Sequence, residues 1–248
     1  MALQDINPDH SLLTIPGTGY YRRTSDNLFV TECQGKAGVR EALMGSDGST
    51  TTEFPSIYYP RGFTFDGGDV ISVPNNPLFS PTDGSGNDQP MSWACMVTTD
   101  TLTDVRFLIV KGVDIGVNRE WSFYLSTKSI YMVIYGADGT SIGRRGSAGI
   151  LDGLLHTLIA TYSGSEANSG IKIYIDTIQV DDTDSDSGSY SGVTRLGSSV
   201  CIGSRYDLTF PHEGKIVAPM IFDTELSAEE VRVLTNRYRE MYSIGPRR

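Results

Sequence analysis

The stretch RGFTFDGGDVISVP, residues 61–74, decides how the rest of the chain is read. Strand side chains alternate between two faces, so Phe63 and Phe65 share one face of a short strand. Val70, Ile71 and Val73 supply a second apolar run, closed by Pro74. Between the runs, Gly67 and Gly68 allow the positive φ that a hairpin turn requires. Asp66 and Asp69 are turn residues whose carboxylates hydrogen-bond nearby backbone. The stretch predicts two strands joined by a tight hairpin turn.

Outward from this point the same pattern recurs. Apolar, β-branched and aromatic runs at 91–98, 105–111, 120–126, 129–135, 155–162, 171–175, 199–203 and 214–222 predict strands, with turn residues between them. Ile171, Ile173 and Ile175 alternate with Lys172, Tyr174 and Asp176, and the apolar parity flips after Thr177 to Ile178 and Val180, which places a hairpin turn at 176–177. A β-branched Thr177 resists positive φ, so this turn is predicted not to be type I′. Many short strands at this spacing predict an all-β sandwich. A single helix is predicted at 227–242. Ser227 and Glu230 form a capping box, Val231, Leu234, Tyr238 and Met241 make its apolar stripe, and Gly245-Pro246 stops it. The helix is expected on the edge of the sandwich.

Residues 1–56 differ from this pattern. They alternate turn-rich segments with short apolar patches, Leu12-Leu13, Tyr20-Tyr21 and Leu28-Phe29-Val30. The division predicted is an extended arm and docking segment over 1–56 and a sandwich with its terminal helix over 57–248. The formal charge of −10 in 248 residues excludes phosphate neutralisation as a binding mode, and with it nucleic acid. Three widely spaced cysteines, Cys33, Cys95 and Cys201, form neither a disulfide framework nor a zinc knuckle, and the last two sit in apolar runs as small buried thiols. No apolar run is long enough to cross a membrane, and the first residues lack the basic and apolar regions of a signal peptide.

In their order these pieces resemble a laminin-G-like domain of the concanavalin A-like lectin/glucanase superfamily, over about residues 60–242. FTFDGGDVISVP resembles the opening Phe-Asp-Gly segment of that family. MSWACMV resembles a strand with a buried Trp, here Trp93, and EWSFYLS the next such strand, with Trp121. LLHTLIATY, IKIYIDTIQV and HEGKIVAPMIFDTELSAEEV resemble its later strands, its strand–turn–strand hairpin and its strand-to-helix ending. The resemblance implies a concanavalin A-like jelly-roll β-sandwich that binds carbohydrate or protein. It also implies that His156 is a structural residue.

The chemistry-bearing residues point away from catalysis. Glycoside hydrolysis needs two carboxyl groups flanking the bond, and the Glu-x-Asp-x-x-Glu spacing of the related glucanases is absent. Glu120, beside Trp121, is expected to be a solvated strand-edge residue. His10 and His212 fall in loop-like settings with no nucleophile motif nearby. The run DDTDSDSGSYSG places Asp182, Asp184 and Asp186 at alternate positions, like the first ligands of a calcium loop, but Ser187 and Val193 stand where an EF-hand has Gly and Glu. The expected reading is a flexible acidic hairpin tip, with calcium as the alternative and no other cofactor.

Binding residues concentrate on loops, here 112–120, 136–147, 181–198 and 204–213. Their candidates for a sugar or carboxylate contact are Arg119, Arg144, Tyr190, Arg205 and Tyr206. The function expected from the sequence is a non-enzymatic structural and adhesive protein on the surface of a virus particle, such as a bacteriophage capsid decoration or tail-associated protein. It would contact other virion proteins or its own copies through the arm, and a cell-surface glycan through the sandwich. The alternative is an extracellular lectin-like module acting alone.

Overall fold

The computed structural model describes residues 62–99, 104–112, 118–136, 139–150 and 152–241, together with the backbone of five short strands before them. His10, Cys33 and Gly245-Pro246 lie outside the described residues. The early strands are β1 (Leu13–Thr14), β2 (Arg22–Arg23), β3 (Phe29–Thr31), β4 (Ala42–Gly45) and β5 (Ser56–Tyr58). Then follow β6 (Gly62–Asp66), β7 (Val70–Val73), β8 (Met91–Thr98), β9 (Arg106–Gly112), β10 (Arg119–Ser126), β11 (Ser129–Tyr135) and β12 (Ser141–Ser147). The chain continues through β13 (His156–Tyr162), β14 (Ile171–Ile175), β15 (Ile178–Gln179), β16 (Asp181–Asp184), β17 (Val200–Ile202) and β18 (Glu213–Phe222), and ends in α1 (Ala228–Met241).

The strands form two antiparallel sheets. The first has the order β15-β14-β13-β8-β18-β6-β5, with β1 also paired to β18; the second runs β16-β12-β11-β10-β9-β17-β7-β4-β3-β2. The Asp66–Asp69 turn therefore joins two sheets, and the predicted hairpin is corrected. Strand β6 pairs with β18 and β5, whereas β7 pairs with β17 and β4. Only Gly67 takes a positive φ, +101°. The corner is held by Gly68 N–H to Asp66 Oδ1 at 3.0 Å and Asp66 N–H to Asp69 Oδ2 at 3.3 Å. Phe63 and Phe65 enter the core from one sheet, Ile71 and Val73 from the other.

Alternation continues across both sheets. Trp93, Cys95 and Val97 of β8 face Trp121, Phe123 and Leu125 of β10, with Ile130, Met132 and Ile134 of β11 and the isoleucines of β14 in the same core. Cys95 and Cys201 are buried free thiols, and burial pushes the Cys201 pKa up to about 12. The opposite parity of the first sheet, Ala94, Met96, Ile159, Tyr174, Met220 and Phe222, is also buried, beneath Leu226, Val231, Leu234 and Tyr238. So α1 lies across the outer face of this sheet, not on the sandwich edge as expected. An outer face made of Ala, Met and Ile needs a cover, and the apolar stripe of the helix supplies it. The capping box forms, with Ser227 N–H to Glu230 Oε2 at 2.7 Å and Glu230 N–H to Ser227 Oγ at 3.3 Å.

The 176–177 turn also departs from expectation. Ile175 pairs with Ile178, and both Asp176 (φ 50°) and Thr177 (φ 84°) are left-handed, the signature of a type I′ turn. Asp tolerates this conformation, and Asp176 is anchored by His156 Nδ1 at 2.6 Å and Thr157 N–H at 3.0 Å, which holds its neighbour Thr177 in the strained position. His156 is buried, with Nε2 also 3.0 Å from Asp152.

Two measurements test this packing. Gly203 has φ +85°, and a Cβ there would stand 2.0 Å from the Phe65 ring. Gly203→Ala should cost roughly 3 kcal/mol from strain and overpacking, read as a melting temperature about 10 °C lower. His212 is fully buried, and desolvation pushes its pKa down to about 4. Protons then bind the unfolded chain first, so stability is complete above about pH 6.5 and falls as the pH drops toward 4, by up to about 3 kcal/mol. Denaturant titrations at pH 7 and 4.5 should show this loss, and His212→Leu should flatten it.

Candidate ligand-binding face

The outer face of the second sheet is built differently from the first. In β10 the inward set is Trp121, Phe123 and Leu125, which turns Ser122 and Tyr124 outward; in β11 it turns Tyr131, Val133 and Tyr135 outward. Register then aligns one row across four strands. Phe107 pairs with Tyr124, Tyr124 with Tyr131, and Tyr131 with Arg145 of β12. The rings of Phe107 and Tyr124 lie 5.5 Å apart, and those of Tyr124 and Tyr131 stack at 4.8 Å with 6° between planes. Arg145 Cζ is 5.9 Å from the Tyr131 ring centre, and its Nη1 donates to the Tyr131 hydroxyl at 3.1 Å.

Two strand positions of the same parity further along β11 a second cluster forms. The Arg119 guanidinium lies 4.1 Å over the Tyr135 ring and its Nη1 donates to the Tyr135 hydroxyl at 3.0 Å. Between the clusters the floor is small, with Ser122 opposite Val133 and Val133 opposite Gly143. The phenols share one field. Burial raises the Tyr124 pKa, Tyr135 and Tyr131 raise it further, and Arg119 and Arg145 lower it. Tyr135 is likewise raised by burial, against the charge of Arg119. An aromatic strip with guanidinium groups at its margins can stack against flat apolar surface while offering donors beside it.

Of the residues singled out in the sequence, Arg119 stands in this face, whereas Arg205 is almost fully buried and paired with Asp207 at 2.7 Å. Tyr206 is 53% exposed in the following loop. Arg144 has the opposite parity to Arg145 and is tied to Asp184 and, at 3.3 Å, to Asp181. Tyr190 packs against the core and donates to Asp88 at 2.5 Å, beside the Tyr162 hydroxyl on the same carboxylate oxygen. Tyr124, Tyr131, Tyr135 and Arg145 were missed, although the alternation in EWSFYLS and SIYMVIY places all three tyrosines on one face.

Two loop assignments are corrected. Residues 141–147, expected as part of a binding loop, are β12, fully paired with β11. The expected acidic hairpin tip begins as β16, whose Asp184 pairs with Arg144 in register and in charge. Asp182 accepts from the Thr183 hydroxyl at 2.7 Å, and Asp186 is exposed. Among the described residues, no three His, Cys, Asp or Glu side chains gather as a metal-holding group.

Glu120 is also corrected, from solvated edge residue to fully buried partner of Lys111. Lys111 Nζ lies 2.6 Å from Glu120 Oε1 and 3.1 Å from the Leu196 carbonyl, and Leu196 N–H donates to the same Oε1 at 2.6 Å. Burial pushes the Lys111 pKa down while Glu120 pulls it back up. The pair stands nine residues apart, closed by the β9–β10 hairpin, so its mutual burial carries no local pattern. Glu120→Ala leaves the ammonium buried and unpaired and should cost about 3–5 kcal/mol, whereas Lys111→Met with Glu120→Leu should recover most of it. Urea denaturation of the three proteins reads the difference directly.

A family model described as the concanavalin A-like lectin/glucanases superfamily matches residues 65–232. No curated protein sequence matches the chain. Among solved structures it is similar to the binding domain of botulinum neurotoxin DC in complex with SialylT, at 13% identity and TM-score 0.59, covering 93% of this chain and 52% of that one. A botulinum neurotoxin type C structure, of a toxin that depends on two ganglioside molecules to enter cells, matches at 13% identity and TM-score 0.63, covering 95% and 53%. The serotype D binding domain matches at 14% identity and TM-score 0.59, covering 96% and 53%. The chain thus spans about half the length of these structures.

Proposed function

The chain belongs to the concanavalin A-like lectin/glucanases superfamily, and on that premise we propose that it is a non-enzymatic glycan-binding protein that holds a sugar chain against the outer face of its second sheet. The observation that carries this reading is the stacked Tyr124–Tyr131 pair, partly exposed on a sheet face while α1 covers the other outer face. Aromatic rings pack against the C–H faces of sugars, and phenol and guanidinium groups supply hydrogen bonds at the margin. The similarity to toxin binding domains whose descriptions name SialylT and gangliosides agrees with this. Glu120 takes no part in hydrolysis in this reading, because it is buried against Lys111.

A strip without a deep cavity binds weakly, so in this proposal the sandwich is displayed in many copies, as on the surface of a virus particle, where avidity multiplies single-site affinity by about 10²–10⁴. The attachment role of residues 1–56 enters in a restricted form. Strands β1–β4 pair with this chain's own sheets, which leaves the outer edge of β2, last in its sheet, as the place for a shell protein or another copy to add a strand.

Tyr131→Ala tests the face. Losing one stacking ring should weaken binding to a responsive glycan by about 1–1.5 kcal/mol, roughly tenfold. Glycan-array fluorescence followed by calorimetry reads this, with melting temperature as the control for folding. An unchanged affinity would move the site elsewhere.

A further inference from the structure

Among the described residues, arginines differ in what holds their guanidinium groups. Arg106, Arg144, Arg205, Arg232 and Arg239 each lie within ion-pair distance of a carboxylate. Arg119 and Arg145 do not; among the described residues their partners are the hydroxyls and rings of Tyr135 and Tyr131. The chain carries 30 acidic against 20 basic residues, so carboxylates to neutralise them are plentiful. Arg195 likewise has no ion-paired carboxylate among the described residues, its Nη2 donating to the Thr82 carbonyl at 2.7 Å, but Arg119 and Arg145 stand together on one outer face, each held at a tyrosine. Arg119 Nε is in addition buried without a hydrogen-bond partner.

From this arrangement we infer that the ligand is an anionic glycan, an oligosaccharide bearing carboxylate or sulfate groups on more than one residue. The inference rests on the face proposed above. An ammonium would act as a point charge, whereas a guanidinium offers a planar fork that matches the two oxygens of a carboxylate or the edge of a sulfate. Stacking on a phenol orients that fork before the ligand arrives, which lowers the ordering cost of binding.

The spacing selects a chain over a single acidic sugar. Tyr131 and Tyr135 are four residues apart on β11, about 13 Å at strand rise. The two guanidinium groups are anchored at opposite ends of that span, too far apart to close on one carboxylate. An oligosaccharide lying over the half-buried Tyr131 and along β11 would meet the exposed Arg145 at one end and the half-buried Arg119 at the other. The field of the remaining protein is negative, so attraction is confined to this strip, and a weak anion without sugar contacts gains little from it.

The test compares oligosaccharides that share a backbone and differ in charge. A galacturonic acid hexamer and its fully methyl-esterified form serve as one pair, a chondroitin 4-sulfate hexamer and its desulfated form as another, each titrated by calorimetry at 50 and 300 mM salt. Tighter binding of the charged member of either pair, weakened by salt, is expected, and which pair responds distinguishes carboxylate from sulfate. Arg119→Gln with Arg145→Gln should cut that affinity at least tenfold and remove the salt dependence. Arg232→Gln with Arg237→Gln, the same loss of two charges on the helix side, should change it less than about twofold.

Equal binding of the charged and neutral members would overturn the anionic assignment while leaving the face in place, provided Tyr131→Ala still weakens both. Charged binding that survives the double Arg change would overturn it as well, locating the anion elsewhere. Absence of binding by all four oligosaccharides would overturn this inference, and indifference of every responsive array glycan to Tyr131→Ala would remove the face itself.

Discussion

The contact between Trp93 and Trp121 is the constraint around which the sandwich is arranged. The rings come from interior strands of opposite sheets, both fully buried, with centres 5.2 Å apart and planes inclined at 53°. That geometry sets the separation of β8 and β10, and the neighbouring side chains fill the space so defined. Each ring removes roughly 150–250 Å² from water, on the order of 4–6 kcal/mol apiece. The Trp121 indole also donates to the Phe79 carbonyl at 2.8 Å, drawing the short Pro77–Phe79 turn against the core. In the inward-facing sets that surround this pair, large and β-branched side chains dominate.

With the interior fixed, the two outer faces are free to diverge, and they do. The outward row of the first sheet is apolar and would be unstable in water; α1 docks on it, and the Tyr238 hydroxyl donates to the Ala218 carbonyl where β18 bulges. Pro219 follows at that bulge, where the ladder does not require its missing N–H. The outward row of the second sheet is amphipathic. Its Val70, Phe107, Val110 and Cys201 are buried with Leu208 of the 204–213 loop packed against them, while Tyr124 and Tyr131 stay half-buried and Arg145 exposed. The parity of the strands thus gives one outer face covered by a helix and another covered only in part, by a loop.

Much of this was legible in the sequence, because parity is a local property. Strands 91–98, 129–135 and 171–175 were read with the ends they have, and the capping box placed the start of the helix. What parity does not encode is the partner. Phe63–Phe65 and Val70–Val73 read as one hairpin although they serve different sheets. Strand β12 read as a loop because Gly-Arg-Arg-Gly suggests one. Its glycines are there because a Cβ on Gly146 would stand 1.9 Å from the Val180 carbonyl oxygen and one on Gly143 2.6 Å from that of Ser185. Crowding by a neighbouring segment, not turn conformation, selects them. The face followed the same logic: its tyrosines were readable by alternation, but the pairing of Arg119 with Tyr135 and Arg145 with Tyr131 depends on register between strands, which only the assembled sheet reveals.

The pairing of β8 with β18 has a consequence for how the protein comes into being. Met96 lies opposite Val217, and β1 pairs with Met220 and Ile221. Strand β8 leaves the ribosome roughly 120 residues before its partner, an interval of about 6–25 s at ordinary elongation rates. Throughout that time one edge of the strand that carries Trp93 has no native neighbour, and the first sheet cannot close. Contacts this distant in sequence also place the chain among slow folders, because loop closure must precede the gain from pairing. The nascent sandwich therefore presents an apolar, unpaired edge during synthesis, an object for holding chaperones, and becomes safe from strand exchange with its neighbours only when Glu213–Phe222 docks.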